Sequence, residues 1–337
     1  MHKLVKFNYL AIAILLSGIT TAVAAESANK TYLALSQEQG QILWLQTGSQ
    51  AAINTFNGQT GALEQTVPLK LEPSQLIMGF TPDGFKVAVL EQAGLSIVHR
   101  TGKTLRTLAV PNLPQPTSNY QPATALTNAA GTAQLFHDAK AKQLHVIHTG
   151  NGKPLATLAL PQARLLALGL DATMSKVAYV TQATAGKADL QVYDLFKKTW
   201  VKTYSIAAPT AFSQPVVFSP DGKYAALLPQ LINLQTEEVS MLRGATGLAV
   251  FTTNNQALLF ASQQGMQRFE LVSKQQQSLD LKLLANCRTT VAEDFSADQQ
   301  RLALASLCTN DAKTLAVVSF LDAKTGQWQR NLNLAKP

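Results

Sequence analysis

Phe218-Ser219-Pro220-Asp221-Gly222-Lys223-Tyr224-Ala225-Ala226-Leu227 is an apolar strand end, a turn and a second apolar strand. Pro220 presets φ for the second turn position. Asp221 can bond its own backbone, and Gly222 takes the positive φ that closes the turn. One such hairpin says little. Turns of the same kind begin at Ser36, Thr81, Asn128, Asp171, Ser219, Thr252 and Ser296, at successive spacings of 45, 47, 43, 48, 33 and 44 residues.

An apolar strand follows each turn: Ile42–Leu45, Val87–Leu90, Ala133–Phe136, Val177–Val180, Tyr224–Leu228, Ala257–Phe260 and Leu302–Ala305. A third strand and a second turn come next in most repeats, as at Asn57–Gly61, Arg100–Lys103, Gly150–Lys153 and Asp322–Gly326. A fourth strand closes each unit: Ala62–Leu69, Thr104–Val110, Pro154–Leu160, Val201–Ile206, Val239–Leu242, Gln277–Leu281 and Gln327–Leu334. Four short strands per 40–50 residues, with no long amphipathic helix between them, predict an all-β, seven-bladed β-propeller of four-stranded antiparallel blades. Strands apolar on both faces need a neighbouring sheet on each side, and a ring supplies one. The 33-residue repeat at Ser219 reads as a reduced blade, with six full blades plus a remnant as the alternative. The seventh blade is expected to close with its own last strand; pairing of Thr31–Leu35 with that blade is the other way to close the ring.

Residues 1–25 read as a secretory signal peptide. Lys3 and Lys6 precede an apolar run from Tyr9 to Leu16, then Gly18 and the small residues Ala22-Val23-Ala24-Ala25. The run is shorter than the ~20 apolar residues a membrane span needs. Residues 26–337 are then expected to be one propeller domain, exported to a bacterial periplasm and not embedded in the membrane. Without Lys3 and Lys6 the formal charge falls from +8 to +6. That mild balance tolerates anionic partners and does not point to nucleic acid. Cys287 and Cys308 are an even pair in an oxidising compartment and predict a disulfide. An unbroken hairpin about Ala297–Gln300 would set Cys308 opposite Thr289, two residues from Cys287.

The Ser219–Lys223 and Asp322–Gly326 turns resemble those of the bacterial periplasmic YVTN and WD40-like propellers, and the resemblance runs along the whole chain after residue 25. It implies the fold and no particular reaction. Quinoprotein propellers place a Trp after a Thr-Gly turn in blade after blade; here only Trp328 follows one, which argues against a quinone enzyme.

Propellers bind ligands at the loops that join one blade's outer strand to the next blade's inner strand. Arg164, Arg243 and Arg288 each stand seven to nine residues ahead of a turn, and Lys30 holds the comparable place in the first blade. An Arg fork suits carboxylate or phosphate. The longest such loop is Pro111–Pro122, stiffened by four prolines and carrying Tyr120. Lys30, Tyr120, Arg164, Arg243 and Arg288 are therefore the expected contact residues for an envelope protein, a peptide or an anionic ligand.

Glu293-Asp294 is the acidic pair on a predicted inner strand; one of the two can line the channel. His99, His137, His145 and His148 do not converge: His145 and His148, three apart on a strand, face opposite sides. The chain has no Gly-x-Ser-x-Gly elbow, no His-Glu-x-x-His and no phosphate loop. No cofactor or metal is expected. A binding or assembly module is the leading expectation, and a metal-dependent lactonase or hydrolase with a channel site is the alternative.

Overall fold

The structure is a computed structural model. It describes residues 31–35, 40–46, 51–70, 76–80, 86–91, 94–99, 101–109, 125–127, 132–138, 141–149, 152–161, 163–171, 173–208, 215–283, 287–295, 300–310 and 313–334. Residues 1–25, Lys30, the Pro111–Pro122 loop with Tyr120, and the turns beginning at Ser36, Thr81, Asn128 and Ser296 lie outside the described residues.

Strands run in chain order through seven four-stranded antiparallel sheets. Sheet 1 holds β1 (Thr31–Leu35), β2 (Gln41–Gln46), β3 (Ala52–Asn57) and β4 (Leu63–Pro68). Sheet 2 holds β5 (Leu76–Phe80), β6 (Lys86–Glu91), β7 (Gly94–His99) and β8 (Thr104–Ala109). Sheet 3 holds β9 (Ala125–Thr127), β10 (Ala133–Asp138), β11 (Gln143–His148) and β12 (Pro154–Ala159). Sheet 4 holds β13 (Leu165–Leu170), β14 (Lys176–Thr184), β15 (Lys187–Asp194) and β16 (Thr199–Ala207). Sheet 5 holds β17 (Val217–Phe218), β18 (Tyr224–Leu227), β19 (Gln230–Asn233) and β20 (Val239–Met241). Sheet 6 holds β21 (Ala245–Phe251), β22 (Ala257–Ser262), β23 (Gly265–Glu270) and β24 (Gln276–Ser278). Sheet 7 holds β25 (Cys287–Phe295), β26 (Arg301–Asn310), β27 (Lys313–Asp322) and β28 (Trp328–Leu334). The 33-residue repeat is thus a complete four-stranded sheet with short strands. The last strand of sheet 6 starts and stops earlier than its apolar pattern implied.

The turn after the first strand is the same device in sheets 4, 5 and 6. Buried Ser219 accepts the Tyr224 N–H on its hydroxyl at 2.9 Å and donates to Asp221 at 2.7 Å. Thr252 accepts the Ala257 N–H at 3.0 Å and donates to Asn254 at 2.8 Å. In sheet 4 a carboxylate replaces the hydroxyl: Asp171 accepts from the Lys176 N–H at 2.7 Å and from the Thr173 and Ser175 hydroxyls. Gly222, Asn255 and Met174 take the left-handed position.

A second device closes the outer hairpin of every sheet. One residue there has positive φ: Gly61, Gly102, Gly152, Lys198, Glu237, Lys274 and Gly326. In sheets 1, 2, 4, 5 and 7 the turn's first residue caps it. Asn57, Asp194, Asn233 and Asp322 accept backbone N–H groups on their side chains, and His99 does so through Nδ1. Sheets 4, 5 and 6 use Lys or Glu where Gly was the signal, so their turns escape a search for Gly.

The middle strands of sheets 4 and 6 are buried on both faces because a neighbouring sheet packs on each side. Leu258 and Phe260 pack toward sheet 5 with Ala226 and Leu231, while Leu259 and Ala261 pack toward sheet 7 with Leu302 and Leu304. Sheet 4 likewise offers Val177 and Tyr179 to sheet 3, and Ala178 and Val180 to sheet 5. The first and last sheets meet: Leu33, Ile42, Trp44 and Phe56 of sheet 1 pack on Ala303, Val318, Phe320 and Leu332 of sheet 7. The first strands touch in the order β1, β5, β9, β13, β17, β21 and β25, and β25 touches β1. β1 pairs with β2, and β28 pairs with β27. Each end therefore keeps its own sheet.

Cys287 and Cys308 are bonded to each other. They are direct register partners, not offset by two, because two bulges in β25, between Arg288 and Thr290 and between Thr290 and Ala292, shift the pairing. A bonded pair of this kind belongs to an oxidising compartment rather than a reducing cytoplasm. Among the described residues no helix is long and apolar enough to cross a membrane.

Candidate functional site

Arg164 directly precedes β13, and its carbonyl accepts the Gln182 N–H at 2.9 Å. Arg243 lies between β20 and β21, and Arg288 is the second residue of β25, paired with Leu307. All three thus stand where the chain begins the first strand of a sheet. Sheets 6 and 7 are neighbours through β21 and β25, so Arg243 and Arg288 stand ahead of and at the start of the first strands of neighbouring sheets. Sheet 5 separates Arg164 from Arg243. Arg164 and Arg243 are both exposed.

Arg243 is held by its backbone. Its N–H donates to Gln276 Oε1 at 2.9 Å, and its carbonyl accepts from Gln276 Nε2 at 2.9 Å. One amide thereby satisfies both main-chain groups and leaves the guanidinium for other work. The amides continue from there: Gln276 Nε2 reaches Gln267 Oε1 at 3.5 Å, and buried Gln267 donates to the Ser278 hydroxyl at 3.3 Å.

Beside Arg243 is a cleft of about 570 Å³ between sheets 5 and 6. Met241 lines it from sheet 5, and Gln263, Gln264, Gln267 and Gln276 line it from sheet 6. The cleft exists because β20 and β24 are only 3 residues each, so the outer corner of the pair is not filled. No carboxylate lines it. Lys274, at its margin, is ion-paired with Glu238. Glutamine side chains both donate and accept. The cleft can therefore hold a hydrogen-bonding chain while Arg243 takes a carboxylate or phosphate. The short outer strands of the 33-residue repeat, together with the runs Gln263-Gln264 and Gln275-Gln276-Gln277, were the sequence signals for it.

The histidines have local partners. His99 Nδ1 is 2.8 Å from the Thr101 hydroxyl within an outer turn, and His145 Nδ1 is 3.3 Å from the Thr157 hydroxyl on the next strand. His137 is half-buried; burial pushes its pKa below the usual histidine value, and the nearby Asp138 carboxylate only partly opposes this. For Asp221, burial alone would raise the pKa, but hydrogen bonds from Ser219 and Lys223 together bring it below the usual carboxylate range. The Tyr179 hydroxyl is pushed up to about 12 by burial and donates to Gln191 at 2.7 Å. Glu293 and Asp294 lie in β25 opposite Leu304 and Ala303. Among the described residues, no group of three or more His, Cys, Asp or Glu is placed to hold a metal ion. Comparison with known protein families and with curated proteins finds no match.

Proposed function

We propose that the seven sheets close into a seven-bladed propeller, resembling the periplasmic YVTN and WD40-like proteins, and that it is a binding or assembly module of the bacterial envelope. The cyclic order of first-strand contacts and the packing of sheet 7 on sheet 1 support the ring. The pattern of residues 1–25 and the Cys287–Cys308 bond support export to the periplasm. The module engages an envelope protein or an anionic ligand at the end of the ring where the first strands begin, through Arg164, Arg243 and Arg288 with Lys30 and Tyr120.

The observation that carries this reading is the amide-lined cleft beside a clasped, exposed Arg243. It offers one cation fork and many neutral hydrogen-bonding groups, which suits recognition of a chain bearing an anionic group. The test is cross-linked capture from periplasmic extract, comparing wild type with a folded Arg164→Ala, Arg243→Ala, Arg288→Ala variant. One envelope protein captured by wild type and lost by the variant is the expected result. Equal capture by both moves the site off this rim. Capture by neither overturns the module reading.

A further inference from the structure

Beyond residue 25 the excess of cations over acids falls within three stretches of the sequence. These are residues 99–109, 148–159 and 194–207, which lead from the third to the fourth strand of sheets 2, 3 and 4. Along the sequence these carry Arg100, Lys103, Arg106, Lys153, Lys197, Lys198 and Lys202 against one acid, Asp194. The other nineteen cations and nineteen acids beyond residue 25 balance in number. Of the seven, Lys202 is ion-paired with Glu237 in the outer turn of sheet 5, and Lys197 lies 4.0 Å from Asp194.

Exposed apolar side chains gather on the same hairpins. Among the described residues, the exposed large hydrophobics are Leu105, Leu155, Phe196, Trp200, Val201, Val239, Met241 and Val272. Five of the eight lie on sheets 2, 3 and 4, and none on sheets 1 and 7. The repeat makes the contrast exact in position. Three residues after the left-handed turn residue stand Leu105, Leu155 and Val201 in sheets 2–4, but Glu64, Ser240, Gln277 and Gln329 in sheets 1, 5, 6 and 7. Phe196 sits at the tip of its turn, 76% exposed, directly before Lys197 and Lys198. Trp200 makes edge-to-face contacts with Tyr179 and Tyr193 and remains 43% exposed.

Exposed aromatic and aliphatic tips interleaved with lysines match the interfacial zone of a membrane. Apolar side chains enter the headgroup boundary there while ammonium groups meet anionic lipid. A protein partner would be met by a contiguous apolar patch with a polar rim; here single apolar side chains alternate with cations across three separate hairpins. These hairpins lie at the end of the sheets opposite the first-strand starts, so this surface is independent of the Arg243 cleft. We propose that the outer hairpins of sheets 2–4 form a peripheral docking surface for an anionic phospholipid leaflet.

The test uses the purified chain lacking residues 1–25, as the exported protein would be, and co-sedimentation with vesicles of phosphatidylcholine alone or with 30% phosphatidylglycerol. Binding at 0.1 M NaCl is expected on the anionic vesicles only. It should fall at least tenfold at 0.5 M salt, because the charges lie at the surface. Lys197→Gln with Lys198→Gln should weaken it at least tenfold, and Phe196→Ser at least threefold. Lys324→Gln on sheet 7 should leave it unchanged. Trp200 fluorescence should shift to the blue on anionic vesicles, and Trp200→Phe should remove the shift. Equal sedimentation with both vesicle types overturns the proposal. So does a Phe196→Ser variant that binds as wild type while soluble poly-glutamate competes fully, since the surface would then be a site for acidic protein. Thermal melts of each variant separate lost binding from lost folding.

Discussion

Gly61, in the outer turn of sheet 1, abuts the backbone carbonyl of Asn333, in the last strand of sheet 7. A Cβ at Gly61 would overlap that oxygen, and φ of +72° already disfavours any other residue there. Arg330 reinforces the same seam by donating to the Gly58 carbonyl at 2.9 Å. Gly61→Ala should therefore destabilise by about 2–4 kcal/mol, combining left-handed strain with overpacking against rigid backbone. Gly186→Ala is the control: φ is +75° but nothing lies within 4 Å of the added Cβ, so about 1 kcal/mol is expected. Urea unfolding of the two variants measures the difference. Equal losses would mean that the two sheets do not approach each other at Gly61.

Ser219 and Thr252 are buried hydroxyls at the heart of equivalent turns. Ser219→Ala leaves the Tyr224 N–H without its hydroxyl acceptor and removes one of the donors to Asp221, which keeps Lys223. Thr252→Val takes the acceptor from the Ala257 N–H and one of two donors from Asn254 while keeping the shape. Each should lower stability by about 1–3 kcal/mol. Thr252→Ser keeps the hydroxyl and should lose less than half as much. Denaturation midpoints of the three variants decide whether these turns depend on the hydroxyl.

The Cys287–Cys308 bond closes a loop of sequence separation 21. In the chain-entropy treatment a loop of that size contributes about 3 kcal/mol. The double Cys→Ala variant should unfold at correspondingly lower urea, and reductant should shift the wild type and not the variant. No shift in the wild type would mean that the bond adds nothing to folding.

His137 supplies a pH dependence. Its pKa is lower in the folded protein than in the unfolded chain because burial penalises the imidazolium. The unfolded state therefore binds the proton more readily. Stability is full above about pH 6.5 and declines as pH falls through that value toward the lower folded pKa. His137→Gln should flatten the slope of stability between pH 7 and 5. A variant as steep as wild type would assign the slope to another group.

The turn at Ser219 was legible because its residues carry their own instructions: a ring-locked Pro, an Asp that caps, a Gly that accepts positive φ. The outer turns of sheets 4, 5 and 6 were not, because Lys198, Glu237 and Lys274 occupy the left-handed position without any preference for it. In sheets 4 and 5 the readable signal was the capping Asp194 and Asn233 at the turn's first position, which bond forward in the same way as Asn57 and Asp322. Arg164, Arg243 and Arg288 could be assigned to one end of the sheets from spacing alone. The amide clasp on Arg243 could not, since Gln276 is thirty-three residues away and meets it only across a folded sheet.

Local chemistry in the sequence was enough to determine the seven first turns, their order and the apolar strand that follows each. Turn dihedrals and strand periodicity depend on residues a few positions apart. Tertiary structure alone decided three things. It set Cys287 opposite Cys308 through two bulges, opened a cleft where two short outer strands leave a corner unfilled, and joined sheet 1 to sheet 7. Each of these depends on how whole sheets pack, as at the Arg330–Gly58 bond between residues 272 positions apart. No pattern within one repeat encodes a contact of that range.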